Sequence, residues 1–539
     1  MSDGLPLIVG VTGHRNLREG DEPRLRAAFA RVLEELRAKY PATRLMVLSG
    51  FAAGADLLAA EVALEEKIEV VPCFPMPKEQ YEHDFAGAER ARFEAVLARS
   101  SEPRIVPASS HHGSAYTALG AFIAYHSHIL VAFWDGRKGG GSGGTADIVR
   151  MRSTGLSSTA GSPDVYVPDI GPIYQIVTPR RDEPAPAKPF EVIVHHPRRF
   201  RGDKRMERDF AEAVKRLNGY NHDLETLGGA QKSAGLLALM KRTDQAANVL
   251  QRQTLFYVNL LYVLAAIASI VQIALGSEAV RLGAYSIPSE GLKIGTLFVA
   301  FLAFLFARAH DYEDRYQDYR ALGEGLRVQY AWCDAGLGDR LVEASYLKMQ
   351  QSELQWIRLA LRTAYFIYCG SCAAEGGSAD RAECLLWIRD QWRYYYRRAR
   401  SEKANQRACT YVARGVLVAG GVLAAASFVF LIPSHPLGDG FGISHDVLVR
   451  MTTAPIAIAA LIGALLSGYS AKRSFASNAK RYQRMFLVFD HARRRLSNSA
   501  RGLGGEPKEI VHELGREALS EHADWLLLRR EYPLSLVVD

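Results

Sequence analysis

Residues 45–58 read LMVLSGFAAGADLL, and the order of residue types in this stretch decides the class of the N-terminal part. Leu45 to Leu48 is an apolar run of strand length, bounded by the small-residue turn Ser49-Gly50-Phe51-Ala52-Ala53-Gly54-Ala55-Asp56. Leu57, Leu58, Glu61, Val62 and Leu64 then keep helical spacing. The same strand, turn and helix grammar recurs on both sides. Leu7 to Val11 runs into Thr12-Gly13-His14-Arg15, and Val70-Val71 begins another strand. His128 to Phe133 leads to Trp134-Asp135-Gly136 and the loop Gly139 to Thr145, and Ile173 to Thr178 closes the series. Strands alternating with helices imply a mostly parallel sheet covered on both faces.

The expected class is therefore an α/β, Rossmann-like parallel sheet. In such sheets ligands sit beyond the carboxyl ends of the strands, where all of these small-residue turns fall. The chemistry that suits them is phosphate binding. Gly50, Ala52, Ala53, Gly54 and Gly143-Gly144 carry no bulky side chain, so backbone N–H groups at a turn or helix N-terminus can approach a phosphate closely. Thr145 adds a hydroxyl donor and Arg15 a bidentate cation. Asp135 either contacts a ribose hydroxyl or caps its own turn.

The rest of the chain follows a different pattern. A mean hydropathy of −0.07 and 23% charged residues would suit a soluble enzyme, but apolar spans and basic stretches cancel in that average. Leu255 to Leu275, Val416 to Ile432 and Thr452 to Ala471 carry no charge and are long enough, at about 1.5 Å per residue, to cross a hydrocarbon core of about 30 Å. Gly420, Gly421, Pro455 and Gly463 within them are tolerated in transmembrane helices. Ile294 to Ala307 is shorter and reaches spanning length only if Lys293 and Arg308 snorkel. Cations crowd the outer flanks of both pairs, at Arg252, Arg308, Arg315, Arg320, then Arg397 to Arg414 and Lys472 to Arg484. The loops between carry only Arg281, or Asp439 and Asp446 without a cation. By the positive-inside rule the N-terminal domain, the central segment and the C-terminus are expected in the cytoplasm, with two transmembrane hairpins in an all-α membrane region. Met1 to Pro6 show no secretory leader, and Cys73, Cys333, Cys369, Cys372, Cys384 and Cys409 are scattered, which fits a reduced, cytosol-facing location.

The hairpins also repeat. Gln251-Arg252 enters the first as Gln406-Arg407 enters the second, and Arg315-Tyr316-Gln317 with Arg327 leaves the first as Arg481-Tyr482-Gln483 with Arg493 leaves the second.

The set Gly13-His14-Arg15, Ser49-Gly50-x-Ala52-x-Gly54-x-Asp56 and Gly143-Gly144-Thr145 resembles the SLOG superfamily, which includes the DNA-processing protein of transformation and the cytokinin-activating LOG enzymes. The resemblance covers about Pro6 to Arg180, and implies that Gly13, His14, Arg15, Ser49, Gly50, Ala53, Gly54, Asp56, Asp135, Gly143, Gly144 and Thr145 line a pocket for a nucleotide or nucleotide-derived ligand. LOG enzymes carry a catalytic Glu where this chain has Ile148, which turns the expectation from hydrolase to sensor. Asp147 is adjacent but belongs to another face of the helix. The remainder resembles tandem SLATT two-helix membrane effectors, with Trp387, Gln391, Tyr395 and Ala399 before the second hairpin and Glu521, Trp525 and Arg529 near the end. The implied organisation is a SLOG-like domain at 1–180, a linker and helical connector at 181–240, and SLATT-like modules at 241–345 and 346–539. A ligand-gated effector that assembles in and permeabilises a membrane during prokaryotic anti-phage defence follows from this resemblance.

Other signals point less far. Cys369-x-x-Cys372 with Cys384 lacks a neighbouring fourth zinc ligand, and His126 and His128, read as alternating at a strand start, lack an acidic or Cys partner, so no metal is expected. Arg393-Tyr394-Tyr395-Tyr396-Arg397-Arg398 is read as an interfacial belt before a span, which disfavours nucleic acid as the partner behind the +8 net charge. No P-loop is present, and no catalytic residue is assigned. The expected partners are a nucleotide-type small molecule, the lipid bilayer of the inner (cytoplasmic) membrane and further copies of the chain, with no resident cofactor. The alternative reading is a membrane-anchored nucleotide-processing enzyme related to LOG phosphoribohydrolases, using Asp147, Asp135 or His14. A further one is single-stranded DNA capture by the first domain.

Overall fold

The computed structural model describes residues 4–106, 114–137, 143–154, 171–197, 204–229, 235–275, 286–347, 354–369, 381–430, 445–499 and 506–531. The loop residues 139–142, the interhelical loops at 277–285 and 433–444, and Cys372 lie outside them. The strands are Leu7–Gly13 (β1), Leu45–Ser49 (β2), Glu69–Phe74 (β3), Arg104–Ile105 (β4), Ile129–Trp134 (β5), Ile173–Val177 (β6) and Val192–His195 (β7). They form one sheet in the order β4-β3-β2-β1-β5-β6-β7. All pairings are parallel except β6 with β7. β1, β2 and β5 are buried almost throughout, which is why they read as unbroken apolar runs rather than as alternating ones. β7 extends the series past the expected last strand. It is an edge strand, mostly exposed, and so carries no such run.

Helices Glu22–Lys39 (α1), Ala55–Glu65 (α2), Lys78–Tyr81 (α3) and Gly87–Leu97 (α4) follow the first strands, and Ala115–His126 (α5) and Thr145–Thr154 (α6) flank β5. The chain moves outward from β1 towards β4, then returns through α5 to place β5 on the other side of β1. This reversal makes the β1/β5 boundary the switch point of the sheet.

Arg205–Leu227 (α7), Leu236–Leu275 (α8), Ser286–Ala309 (α9), Tyr312–Asp334 (α10), Gln355–Tyr368 (α11), Arg381–Phe430 (α12), His445–Lys472 (α13), Phe475–Ser499 (α14) and Pro507–Glu531 (α15) complete the chain. By contacts it divides into two compact units, Met1–Ala246 with Asp318–Ser378 and Gly515–Glu531, and Ala247–Gln317 with Ala379–Leu514 and Tyr532–Asp539.

In the first unit, α7 buries Met206, Phe210, Ala213, Val214, Leu217, Tyr220 and Leu224 on one face. Its Asn221 accepts from the Leu5 N–H (2.9 Å) and donates to the Leu5 carbonyl (2.8 Å) and the Thr43 hydroxyl (3.0 Å), fastening α7 to the start of the sheet. Asp318 of α10 accepts from Trp356 Nε1 of α11 (2.9 Å), from Arg216 of α7 (3.1 Å) and from Arg530 of α15. One buried carboxylate thus joins helices from three distant parts of the sequence.

Among the described residues, four helical stretches are long and apolar enough to cross a membrane, Leu236–Ile273, Ile294–Asp334, Leu386–Phe428 and Thr453–Asn498. α9 has 24 residues and is about 36 Å long at about 1.5 Å per residue, because it starts well before the apolar run from Ile294. Phe256, Val263 and Ile267 on α8, Leu297, Phe298 and Phe301 on α9, and Leu417, Val418, Val422 and Phe428 on α12 are exposed, a side-chain arrangement suited to lipid rather than water.

Of the repeated residues, the exit arginines take the same local place, whereas the exit tyrosines meet different partners. Gln251 Nε2 of α8 donates to the Tyr316 hydroxyl of α10 (2.9 Å), and Tyr482 of α14 lies 6.1 Å, ring to ring, from Tyr395 of α12. Arg327 pairs with Glu324 three residues before it, as Arg493 pairs with Asp490. Trp387 and Tyr395 both pack on Phe489, and Trp392 on Phe486. The basic and aromatic run is therefore not a belt at the start of the span. Tyr396 precedes Val416 by about 30 Å of continuous α12 at about 1.5 Å per residue, far more than a headgroup layer of about 5–8 Å.

Candidate functional site

β1 ends at Gly13 and β5 at Trp134, so His14 and Asp135 leave neighbouring strands at the switch point. The Asp135 backbone N–H donates to His14 Nε2 at 3.1 Å, and the Asp135 carboxylate Oδ1 lies 3.3 Å from the same nitrogen. Burial holds the imidazole below its ordinary pKa and outweighs the opposing pull of Asp135. Nε2 thus acts as an acceptor, and the proton of the neutral ring sits on Nδ1. Oδ1 also accepts from the Arg137 N–H (3.1 Å), closing an Asx turn. Oδ2 is buried with no hydrogen-bond partner, and its nearest cation, Arg180 Nη1, stands 3.8 Å away. Asp135 caps its turn with one oxygen and leaves the other open as an acceptor.

The turn after β2 is held against β1. Ala55 N–H donates to the His14 carbonyl (3.1 Å), and Gly54, with φ of +87°, could carry no side chain: a Cβ there would meet the Arg15 carbonyl oxygen at 2.4 Å. Ser49 is fully buried, and its hydroxyl donates to the Asp56 carbonyl (3.0 Å) while accepting from the Phe51 N–H (3.2 Å). The Tyr81 hydroxyl donates to the Gly50 carbonyl (2.8 Å).

Asp56, in the first turn of α2, is the buried acid of this turn. Burial raises its pKa to about 7, against the lowering influence of Arg15 and of the Ala52 and Gly13 backbone N–H groups. Its Oδ1 is buried without a hydrogen-bond partner. The small-residue turn expected to cradle a phosphate thus already directs one of its backbone donors, that of Ala52, at a side-chain carboxyl of its own, and Gly13 at the end of β1 adds a second.

Gly143 and Gly144 lead into α6, and Thr145 is its buried first residue. Gly143, with φ of +80°, donates its N–H to Asp147 Oδ2 (3.1 Å) and approaches α5 so closely that a Cβ would lie 2.9 Å from Thr117 Oγ1. Asp147 also accepts from Arg150, so it is committed to holding the turn. Ile148 points into the core, where a Cβ on Gly120 of α5 would meet its side chain at 2.5 Å. An acid at that position would be directed at α5 and not at the switch point.

His14, Arg15, Gly54, Asp56 and Asp135 are therefore brought together, with Gly13, Ser49, Gly50 and Ala53 in the backbone that supports them. Gly143, Gly144 and Thr145 reach this group through α5. There Ser114 caps the helix by accepting from the Thr117 N–H (3.2 Å), and the Arg15 guanidinium lies 5.7 Å from the Tyr116 ring. Tyr116, Ser114, Tyr81 and Arg180 escaped the sequence reading. Ser114 alone left a signal, a capping residue three positions ahead of Thr117 and an apolar run.

The two histidines are buried core groups, not strand-edge residues. His126 ends α5 and His128 precedes β5. His128 Nδ1 accepts from the Ile8 N–H (2.8 Å), and its Nε2 meets the Thr363 hydroxyl of α11 (3.0 Å). Among the described residues no group of three or more His, Cys, Asp or Glu side chains is placed to hold a metal ion. The chain matches no family model. A search of curated proteins likewise returns no match.

Proposed function

We propose that this chain is a membrane effector of SLOG–SLATT type, in which a nucleotide or NAD-derived ligand bound above the sheet drives the paired helices to oligomerise or open a pore in the inner membrane, in anti-phage defence. The single observation that carries the reading is the convergence of His14, Asp135 and the Gly54 turn at the β1/β5 switch point of a chain that also holds four membrane-length helices. The open Oδ2 of Asp135 suits a ribose hydroxyl, and Arg15 beside the Tyr116 ring suits a phosphate. Ile148, turned into the core, supports sensing over hydrolysis. A ligand acts on such a protein only through different affinities for its resting and active states. The N- and C-termini are assigned to the cytoplasm on the flanking cations.

The test is release of trapped dye and ions from liposomes containing the purified chain, across AMP, ATP, NAD⁺ and ADP-ribose. Release triggered by a nucleotide that also binds supports the reading. Binding of one without any release removes the effector half.

One observation favours the enzyme reading: Asp56 is a buried carboxyl with a pKa near 7, the range in which a general acid or base works best. Turnover of one of these nucleotides that is lost in Asp56→Asn supports it. Absence of turnover across the panel removes it.

A further inference from the structure

The sulfurs of Cys333 and Cys369 lie 2.7 Å apart, although 36 residues separate them in the chain. Cys333 is on the last turn of α10, and Cys369 is the residue that closes α11. Two unbonded sulfurs do not rest at this distance, and a further approach of about 0.7 Å reaches the disulfide length of about 2.05 Å. Both helix ends are anchored where they stand. Gln329 Nε2 donates to Cys333 Sγ (3.6 Å) and to the Arg340 carbonyl (3.1 Å). The Tyr365 hydroxyl, one turn before Cys369, donates to the Gly338 carbonyl (2.7 Å).

We propose that Cys333 and Cys369 are a thiol pair that a peroxide converts reversibly to a disulfide, tying the end of α10 to the end of α11. The division of labour follows from exposure: Cys333 is partly exposed and Cys369 is buried. The Cys333 thiolate attacks one peroxide oxygen, and the O–O bond breaks. The sulfur becomes a sulfenic acid, and the departing oxygen leaves as an alcohol or water, taking the proton that Cys333 gave up. Cys369 then attacks that sulfur, and its own proton leaves with the hydroxyl as water. The two thiols are oxidised by two electrons, and the peroxide is reduced by the same two. The neighbouring Cys369 thiol holds the Cys333 pKa below the ordinary thiol value, with burial opposing and Gln329 assisting, which favours the thiolate that the first step uses. In a reducing compartment such a bond is transient, as a sensor requires.

The test uses the full chain in detergent, reduced, desalted and exposed to hydrogen peroxide, with the remaining thiols alkylated and the protein digested for mass spectrometry. The expected product is one cross-linked peptide pair containing Cys333 and Cys369, reversed by dithiothreitol and absent from Cys333→Ser and from Cys369→Ser. The wild-type peptide map stands even where a variant fails to fold. Full alkylation of both thiols after peroxide in folded protein overturns the proposal. So does a Cys369–Cys372 link in place of the expected one, or stoichiometric zinc released only when these thiols are blocked.

Discussion

His14 and Asp135 come from the ends of adjacent parallel strands, and their side chains meet at 3.3 Å beyond the sheet. The Asp135 backbone N–H supplies the hydrogen bond, and the carboxylate is left with one buried oxygen that faces Arg180 at 3.8 Å but accepts no hydrogen bond. Leaving an acceptor in this state costs about 1–3 kcal/mol, which a ligand hydroxyl would recover. Asp135→Asn is therefore expected to weaken binding of the nucleotide that the wild type retains by about 10- to 100-fold, the equivalent of about 1.5–3 kcal/mol for a hydrogen bond to a charged group. Calorimetry with AMP, ATP, NAD⁺ and ADP-ribose measures this. Equal affinities for variant and wild type would mean that Oδ2 does not face the ligand.

Asp56 gives the site a pH dependence of definite sign. Its folded pKa of about 7 stands above the ordinary 3.8, so the folded state binds this proton more tightly than the unfolded state. The stability so gained is complete below about pH 3.8 and is lost as pH rises through about 7. Asp56→Asn removes that slope, with Arg15 and Tyr81 left in place as its charged and titratable neighbours. The thermal midpoint of the variant relative to wild type is expected to rise from pH 5 to about pH 7 and to level off above it, by an amount worth on the order of a few kcal/mol at the alkaline end. A difference that stays flat across this range would remove Asp56 as the buried acid.

Much of the α/β architecture was legible because central parallel strands are buried on both faces. Leu7 to Val11 and Leu45 to Leu48 therefore stand out as unbroken apolar runs, and the turns that end them contain the residues that converge at the switch point. β7 was not legible, since an exposed edge strand such as Val192–His195 needs no apolar run. Nor was the role of α7, α11 and α15 in the first unit, because Asp318 joins them through single polar contacts from distant parts of the chain. The site was legible in its glycines and less so in its donors. Sequence shows that Gly54 and Gly143 free the backbone, but only the folded chain shows Asp56 and Asp147 taking up part of what was freed.

Glu343 is expected to be a stability hot spot of the first unit. It accepts from the buried Arg358 (2.8 Å) and Arg362 (2.9 Å) and from the hydroxyl of the half-buried Tyr125 (2.9 Å). Burial alone would raise its pKa, but Arg362 and Arg358 reverse this and hold it at about 2. The stability from this depressed value is present above the ordinary 4.5 and is lost as pH falls towards 2. Glu343→Ala strands two buried guanidinium groups, a loss of about 3–5 kcal/mol where one partner of a buried pair is removed. Denaturation at neutral pH measures it. A loss below about 1 kcal/mol would show that solvent or rearrangement repairs the gap.

The second hairpin contains its own control. Gly420 of α12 faces α13 so closely that a Cβ would lie 2.8 Å from the Ala459 Cβ, whereas a Cβ on the adjacent Gly421 would meet nothing within 4 Å. Small residues at such a crossing let helix backbones approach in lipid, where no hydrophobic drive pulls them together. Gly420→Ile is thus expected to force α12 and α13 apart and to destabilise the unit by about 1–3 kcal/mol, the usual cost of overfilling a close contact. Gly421→Ile adds an apolar side chain on the open face and is expected to change little. The comparison is read from thermal midpoints of both variants in the same detergent. Each change adds the same side chain one residue apart, so helix propensity and overall hydrophobicity cancel and only the contact with Ala459 differs. Equal losses for both variants would exclude close approach at Gly420 as the element that holds the hairpin.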